Sequence, residues 1–209
     1  MFCRYKTPLL ILSTLLVLLA TTLTWWHSRP SYDESALTAA GIILLPQPRT
    51  LPAITLTSTD NQPQLMTELK GQWTLLFFGY TFCPDICPTT LAELRKLKTQ
   101  LPQATLDRLR IIMISVDPNR DTPEQLGRYL AYYKAGYSGL SGKLEDIQKL
   151  SSATSIPFVP GDTSKPHYTV DHSGNLAVIG PDGRQRGFIR APLDLTGLAQ
   201  QLPALVAGH

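Results

Sequence analysis

The sequence predicts an α/β fold of three layers, in which helices cover both faces of a mainly parallel β-sheet. Two short and mostly apolar runs, 73–78 and 110–116, are each followed by a helical pattern. Such runs are typical of parallel strands buried on both faces, because crossover helices cover these sheets. Near the C-terminus, Pro181-Asp182-Gly183 separates two further strand patterns, which predicts an antiparallel hairpin that completes the sheet.

Each predicted strand rests on a local pattern. The first alternates between apolar and polar residues and precedes the turn signal Asp60-Asn61, and the two central strands are the apolar runs. The predicted strands are 53–57, 73–78, 110–116, 167–171, 175–179 and 185–190.

The predicted helices have stripes or capping signals. Leu91, Leu94 and Leu97 form one apolar stripe, Thr122 fits an N-cap position, and Pro123 fits the first position of that helix. A proline within the last helix is expected to kink or shorten it. The predicted helices are 89–100, one that opens at 121–124 and continues to 135, 143–152, and 194–206.

Composition and charge exclude several classes of protein. The 209 residues include 19 Lys+Arg and 16 Asp+Glu, which gives a formal charge of +3. No basic stripe with interleaved aromatics is present, so we expect no nucleic-acid partner. The hydrophobic share of 43% and charged share of 17% exclude a mainly disordered chain. Three cysteines are too few for a small disulfide scaffold.

Residues 1–28 are predicted to form an N-terminal transmembrane helix that anchors the protein. The run from Leu9 to Trp26 has no charge, and a helix of this length spans about 27 Å, close to the hydrocarbon core. Arg4 and Lys6 precede it, which places the N-terminus in the cytoplasm. A cleaved signal peptide is the alternative, although no typical cleavage site is evident. In either case the rest of the chain lies outside the cytoplasm.

The remaining chain is predicted to consist of a tether and one folded domain. Residues 29–50 contain several prolines around a short apolar patch, which indicates a tether. From residue 51 to 209 the pattern is that of one domain of ordinary size.

The chemical centre of the sequence is the pair Cys83 and Cys87, at the junction between a buried strand and a helix. Open α/β sheets place their sites at such junctions, and a helix N-terminus lowers the pKa of a thiol. Two thiols could form a reversible disulfide or bind a metal, while a structural disulfide or inert buried thiols are the plain alternative. Asp85 between them could offset the charge of a bound cation.

A metal site with two thiolates needs a further ligand. Thiolates select Cu(I) and imidazole suits Cu(II). His27 and His209 lie at the predicted membrane border and the chain end, so they are poor candidates. Of the two remaining histidines, His172 is better placed than His167, although a histidine in a turn or core is the plain alternative.

These residues resemble the Sco/SenC family, whose members are membrane-anchored, thioredoxin-like copper proteins that serve cytochrome c oxidase assembly. The resemblance covers about 51–205 and the single anchor. Its motifs are the C-x-x-x-C loop at 83–87, Val170-Asp171-His172, and the segment 115–123. It implies a thioredoxin-like fold and a site for Cu(I) or Cu(II) with Cys83, Cys87 and His172 as ligands.

The resemblance also implies roles for neighbouring charged residues. Asp85 and Asp171 are expected just outside the ligand shell, Asp171 as the residue that orients the histidine. Asp117 and Arg120 are expected to brace the adjacent loop or to form a salt bridge, without touching copper.

Two functions follow as expectations. The first is a copper metallochaperone that delivers copper to the binuclear copper centre of cytochrome c oxidase. The alternative is a thiol-disulfide oxidoreductase, with Cys83 and Cys87 as catalytic residues, that reduces the cysteines of the oxidase copper subunit; its usual motif is C-x-x-C, one residue shorter. A peroxidase would leave the histidine unexplained.

The expected partners are the copper-bearing oxidase subunit and either another periplasmic copper chaperone or a thioredoxin-like reductant. The short N-terminal segment lacks an Arg- and Ser-rich transit peptide. We therefore expect a single-pass protein of the bacterial inner membrane, with a cytoplasmic N-terminus and a periplasmic domain.

Overall fold

The computed structural model describes residues 6–27 and 32–208, and the chain divides into two units, 1–31 and 32–209. The first unit contains helix α1, Lys6–His27. In the described part of the chain, no helix has both the length and the apolar character needed to span a membrane. The transmembrane anchor over 1–28 stays a prediction, and Arg4 lies outside the described residues.

The second unit is built on one mixed β-sheet. Its described strands follow the spatial order β1-β8-β7-β4-β5-β6-β2-β3. β4 pairs in parallel with β5, and β5 with β6, whereas the other pairings are antiparallel. The strands are β1 Ile42–Thr50, β2 Thr55–Ser58, β3 Pro63–Leu65, β4 Trp73–Gly79, β5 Leu109–Ser115, β6 Ser138–Ser141, β7 Leu176–Ile179 and β8 Arg184–Ile189.

The helices of this unit lie between or beside the strands. Thr122 caps α5 as predicted, because its hydroxyl accepts a hydrogen bond from the Gln125 amide at 3.1 Å. Pro203 lies inside α7, which nevertheless continues to Ala207. The helices are α2 Glu34–Ala39, α3 Ile86–Gln100, α4 Gln103–Leu106, α5 Pro123–Tyr132, α6 Leu144–Ala153 and α7 Leu195–Ala207, with a 3-10 turn at Met66–Glu68.

The predicted tether over 29–50 differs from the structure, because α2 and β1 lie within it. β1 pairs antiparallel with β8, and both Leu37 and Ile42 are fully buried. The prediction is wrong because it treats Pro46 and Pro48 as signs of a tether, although proline is also tolerated in an edge strand such as β1. They fall where the pairing register shifts, between Leu44 and Arg49.

Helices cover both faces of the sheet, as predicted. On one face α3 contacts the segment after α5, where Tyr137 donates a hydrogen bond to the Leu91 carbonyl at 2.7 Å. On the other face, the Thr154 carbonyl at the end of α6 accepts a hydrogen bond from the Gln185 side chain at 2.9 Å. Every residue of β4 is buried between these layers.

The stretch between α6 and β7 has little regular structure. The strand predicted over 167–171 is wrong, because only an isolated antiparallel bridge joins Asp171 to Val159. This stretch carries His172, and we call residues 154–175 the histidine loop. It approaches the sheet where β4 ends.

Candidate metal centre

The two cysteines lie where β4 gives way to α3. We call residues 80–87 the cysteine loop. The structure begins α3 at Ile86, three residues before the predicted start at Thr89, so Cys87 lies in the first helical turn. The Cys83 amide donates a hydrogen bond to the Tyr80 carbonyl at 3.3 Å, which closes a turn.

A buried carboxylate fixes the start of the cysteine loop. Asp121 is 1% exposed and accepts hydrogen bonds from the Thr81 amide at 3.0 Å and the Thr81 hydroxyl at 2.6 Å. It also accepts one from the Ser115 hydroxyl at 2.7 Å. Because Ser115 is the last residue of β5, these hydrogen bonds join the cysteine loop to the carboxyl end of that strand.

Cys83, Cys87 and His172 converge on one point. The His172 Nε2 atom lies 3.1 Å from the Cys87 sulfur and 3.8 Å from the Cys83 sulfur. All three potential ligand atoms lie within 4.8 Å of one another, and both cysteines are free thiols. A single metal ion could contact all three. The structure thus brings together the three residues that were predicted as ligands.

The Cys87 sulfur packs against Gly79, the last residue of β4. Cys87 is fully buried, whereas Cys83 is 8% exposed. The Tyr80 amide donates to the Cys87 sulfur at 3.3 Å. A Cβ atom at Gly79 would lie 2.7 Å from that sulfur, closer than real Cβ atoms approach. Gly79 therefore leaves the space that the sulfur fills.

The two thiols have very different proton affinities. The pKa of Cys83 is lowered to about 3, chiefly because Cys87 donates a hydrogen bond to it, with help from His172 and the backbone. The pKa of Cys87 is raised, because that same hydrogen bond and its burial favour the protonated thiol. In the metal-free protein, Cys83 is the thiolate of the pair.

His172 presents its Nε2 atom to the thiols because its Nδ1 atom lies 3.0 Å from the Val170 carbonyl oxygen. A proton on Nδ1 leaves Nε2 free to accept a proton or a metal. Burial lowers the His172 pKa, but the hydrogen bonds with Cys83 and Val170 and the nearby negative charges outweigh it, so the pKa is raised.

Asp171 does not orient the imidazole through a described hydrogen bond, contrary to the prediction. Its side chain is exposed, and it affects His172 only as one of the charges that raise the histidine pKa. The Val170 carbonyl takes the predicted orienting role. Sequence analysis missed it because a backbone carbonyl has no residue type to signal it.

Asp85 lies at the N-cap position of α3 but makes no capping hydrogen bond with its side chain. It lines a cleft of about 400 Å³ that also exposes Cys83 and His172. Its predicted role in offsetting a cation's charge therefore stays a prediction.

Asp117 and Arg120 form the predicted salt bridge, between Oδ2 and Nε. Two tyrosines that sequence analysis missed complete the surroundings. Tyr168 donates a hydrogen bond to Asp117 at 2.7 Å, and the Tyr80 ring packs edge-on against His172 with centroids 5.3 Å apart. The donor set of two thiolates and one imidazole suits copper in either oxidation state.

Comparison with known proteins agrees with this geometry. The SCO1/SenC family profile matches residues 45–207. The "Putative copper-binding protein" of Stutzerimonas stutzeri is 48% identical over 93% of this chain and 94% of its own. The human mitochondrial SCO1 homolog is 33% identical over 61% of this chain and 43% of its own.

Solved structures extend the likeness to the fold. Bradyrhizobium japonicum ScoI with copper bound has a TM-score of 0.63 and 32% identity, over 73% of this chain and 97% of its own. Arabidopsis thaliana ScoI with copper bound has a TM-score of 0.65 and 28% identity, over 72% of this chain and 94% of its own. These similarities confirm the predicted thioredoxin-like α/β fold. The chain therefore belongs to the SCO1/SenC family.

Proposed function

We propose that this protein is a copper metallochaperone that holds copper between Cys83, Cys87 and His172. The observation that carries the proposal is the convergence of two thiol sulfurs and one imidazole nitrogen within 4.8 Å. Thiolates favour Cu(I) and imidazole favours Cu(II), so this set suits both states. The copper-bound ScoI structures of related chains support the same cargo.

Copper is the cargo, and the site is arranged for it to leave. Three protein donors leave room for a thiolate from a receiving protein. The cleft of about 400 Å³ beside Cys83 and His172 gives such a thiolate access. Cys87, which is fully buried, would be the last donor to let go. Exchange between soft ligands would pass the metal on without releasing it to water.

The proposed receiver is the copper-bearing subunit of cytochrome c oxidase, where the metal would join the binuclear copper centre. Family membership supports this receiver, because the resemblance implies a role in oxidase assembly. Another periplasmic copper chaperone could supply the metal. The charge pattern around the apolar N-terminal run supports a bacterial inner-membrane protein with a periplasmic domain.

A thiol-disulfide oxidoreductase is the second candidate, and the low pKa of Cys83 favours it. The Cys83 thiolate would attack a disulfide of the oxidase subunit, forming a mixed disulfide and releasing one target thiolate. Cys87, once deprotonated, would then displace the second target thiolate and form the Cys83–Cys87 disulfide. The target gains two electrons and the cysteine pair loses two. The raised pKa of Cys87 opposes the second step.

Copper loading of the full chain tests the ligand set. Wild type, His172→Asn and the control His167→Asn are loaded anaerobically with Cu(I) or Cu(II) in detergent. His167 is an exposed residue of the same loop. We expect one copper per chain, with Cu(II) binding and its nitrogen hyperfine signal in electron paramagnetic resonance lost only in His172→Asn. Failure of the wild type to bind copper would overturn the proposal.

His172 also separates the two candidate functions, since thiol exchange does not need an imidazole ligand. A chaperone should lose copper transfer to the oxidase subunit in His172→Asn. An oxidoreductase should still reduce the disulfide of that subunit in the same variant. Both reactions can be followed with the purified subunit, by its copper content and by thiol labelling.

A further inference from the structure

We propose that Arg120 is a positioning residue that holds the histidine loop against the cysteine loop, and so decides how well His172 reaches copper. This inference rests on the proposed copper site. Arg120 does not touch the three ligand side chains in any described contact. Its action would pass through Asp117, Tyr168 and Tyr80.

The histidine loop needs outside support. No described helix or strand lies between Ala153, where α6 ends, and Leu176, where β7 begins. The bridge between Val159 and Asp171 joins two parts of the loop to each other. Contacts that join the loop to the rest of the domain therefore determine where His172 lies.

One such contact is a stack of charged and aromatic groups. The Arg120 guanidinium lies 3.7 Å from the centre of the Tyr168 ring, a distance typical of a cation–π contact. Asp117 accepts a hydrogen bond from Tyr168 on one carboxylate oxygen and pairs with Arg120 on the other. The Asp117 side chain is 2% exposed, which protects this arrangement from water.

The same guanidinium also faces the cysteine loop. It lies 4.9 Å from the centre of the Phe82 ring and 5.6 Å from that of Tyr80. Its Nη2 atom is buried without a hydrogen-bond partner in the described residues, so the aromatic rings replace water around part of the cation. A desolvated cation gains more from aromatic faces than an exposed one does.

Tyr80 completes the connection to His172. Its hydroxyl accepts a hydrogen bond from the Val170 amide at 3.3 Å, and Val170 in turn orients the His172 ring through its carbonyl. Arg120 therefore contacts Tyr168 in the histidine loop and Tyr80 beside the cysteines. The adjacent Asp121 anchors Thr81, so one short segment braces both ligand-bearing loops.

The two oxidation states of copper should respond differently when this brace is weakened. Two thiolates from the rigid cysteine loop can retain Cu(I), whereas Cu(II) depends more on the imidazole. Loss of Arg120 should loosen the histidine loop more than the cysteine loop, because the Asp121 carboxylate still holds Thr81 in the cysteine loop. Arg120 should therefore contribute more to the affinity of the site for Cu(II) than to its affinity for Cu(I). A residue that only stabilises the fold would not show this difference.

The test compares Arg120→Gln, Arg120→Lys and Tyr168→Phe in the full chain, with Arg128→Gln as the control. Arg128 is exposed on α5 and pairs with Glu124, away from the site. Cu(I) affinity is measured by competition with a chromophoric chelator. Cu(II) affinity and nitrogen hyperfine coupling are measured by titration and electron paramagnetic resonance. Thermal unfolding of each metal-free variant reports its folding.

For Arg120→Gln we expect Cu(II) affinity to fall about tenfold or more, the usual cost of losing a group that orients a ligand, with weakened nitrogen coupling. Cu(I) affinity should fall less than about threefold. Arg120→Lys keeps the charge but loses the planar stack, so its effect should be intermediate. Tyr168→Phe removes one hydroxyl and keeps the ring, which allows a test if Arg120→Gln unfolds.

An equal loss of Cu(I) and Cu(II) binding in Arg120→Gln and Tyr168→Phe would overturn the inference, as would an unchanged Cu(II) spectrum in both. These results differ from failure of the proposed function. That failure would appear in the wild type as absence of copper binding, or in His172→Asn as unchanged Cu(II) binding.

Discussion

The cysteine loop and the histidine loop meet at one site but are held there in different ways. The cysteine loop is short, and it is fixed by β4, by the first turn of α3 and by the buried Asp121 carboxylate. The histidine loop is long, and residues 162–167 are exposed. The difference shows how one site can combine a rigid pair of thiols with a histidine whose position depends on a few side-chain contacts.

The largest expected effect on copper affinity comes from removing a thiol from the cysteine loop. Cys87→Ser should reduce both Cu(I) and Cu(II) affinity by more than about 100-fold, because a hydroxyl is a poor ligand for soft copper. This loss exceeds the usual cost of removing a residue that only supports a ligand, which is about 10–100-fold. Chelator competition measures the loss, and Cys3→Ser is the matched control. Retention of Cu(I) by Cys87→Ser would contradict a two-thiolate site.

Loosening the anchor of the cysteine loop should affect both oxidation states. The Asp121 carboxylate accepts three hydrogen bonds, from the Thr81 amide, the Thr81 hydroxyl and the Ser115 hydroxyl. In Asp121→Asn one of the two oxygens becomes an NH₂ group, which would face these donors as another donor. We expect a loss of about 1–3 kcal/mol in the free energy of unfolding, and similar losses of Cu(I) and Cu(II) affinity. Urea denaturation and chelator competition measure these quantities.

The exposed Asp60→Asn is the control for this substitution, and it should change neither quantity. A selective loss of Cu(II) in Asp121→Asn would contradict the assignment of separate supports to the two loops.

The two thiols should also differ in their reaction with an alkylating agent. The Cys83 pKa of about 3 makes it a thiolate at pH 5 as well as pH 7, whereas the raised pKa keeps Cys87 protonated. We expect the iodoacetamide rate of Cys83 to change little between pH 5 and 7 and to fall only as the pH approaches 3. Mass spectrometry of the reduced, metal-free protein identifies the modified residue.

Free cysteine under the same conditions is the control, and its rate should rise about 100-fold over those two pH units, since its pKa lies near 8.5. A Cys83 rate that rises in parallel with free cysteine would show that its pKa is not lowered.

The smallest effect is expected at Asp171, in the histidine loop. Its exposed carboxylate contributes only charge, and exposed charges contribute about 0.2–1 kcal/mol. Asp171→Asn should therefore reduce Cu(II) affinity less than about fivefold and lower the His172 pKa slightly. Nuclear magnetic resonance of the imidazole in the metal-free protein measures that pKa, with Asp162→Asn as the control. A loss as large as that of Arg120→Gln would restore Asp171 as the orienting residue.

The same two loops show which parts of the site local patterns can predict. The apolar run of β4 and the cysteines after it lie within one short segment, so the sequence predicts the junction well, although α3 begins three residues earlier than predicted. The motif Val170-Asp171-His172 predicts His172 as a ligand. Its true orienting partner, the Val170 carbonyl, depends on a backbone turn that no residue pattern reveals.

Long-range pairing explains the other differences between prediction and structure. The sequence predicts a tether where β1 lies, because the prolines there suit a linker as well as an edge strand, and only pairing with β8 distinguishes the two. Tyr168 and Asp117 are far apart in sequence and meet only because the histidine loop folds back over the end of β5. Their types alone could not indicate that contact.

Gly79 has a consequence for how this site can change under selection. Because the Cys87 sulfur fills the space beside Gly79, any larger residue there would push the sulfur away from its partners. Random replacement of codon 79, followed by selection for copper retention, should return glycine almost alone. Codon 82 should vary more freely, since Phe82 is 54% exposed. Gly79, which has no side chain, should therefore be among the positions of the copper site that tolerate substitution least.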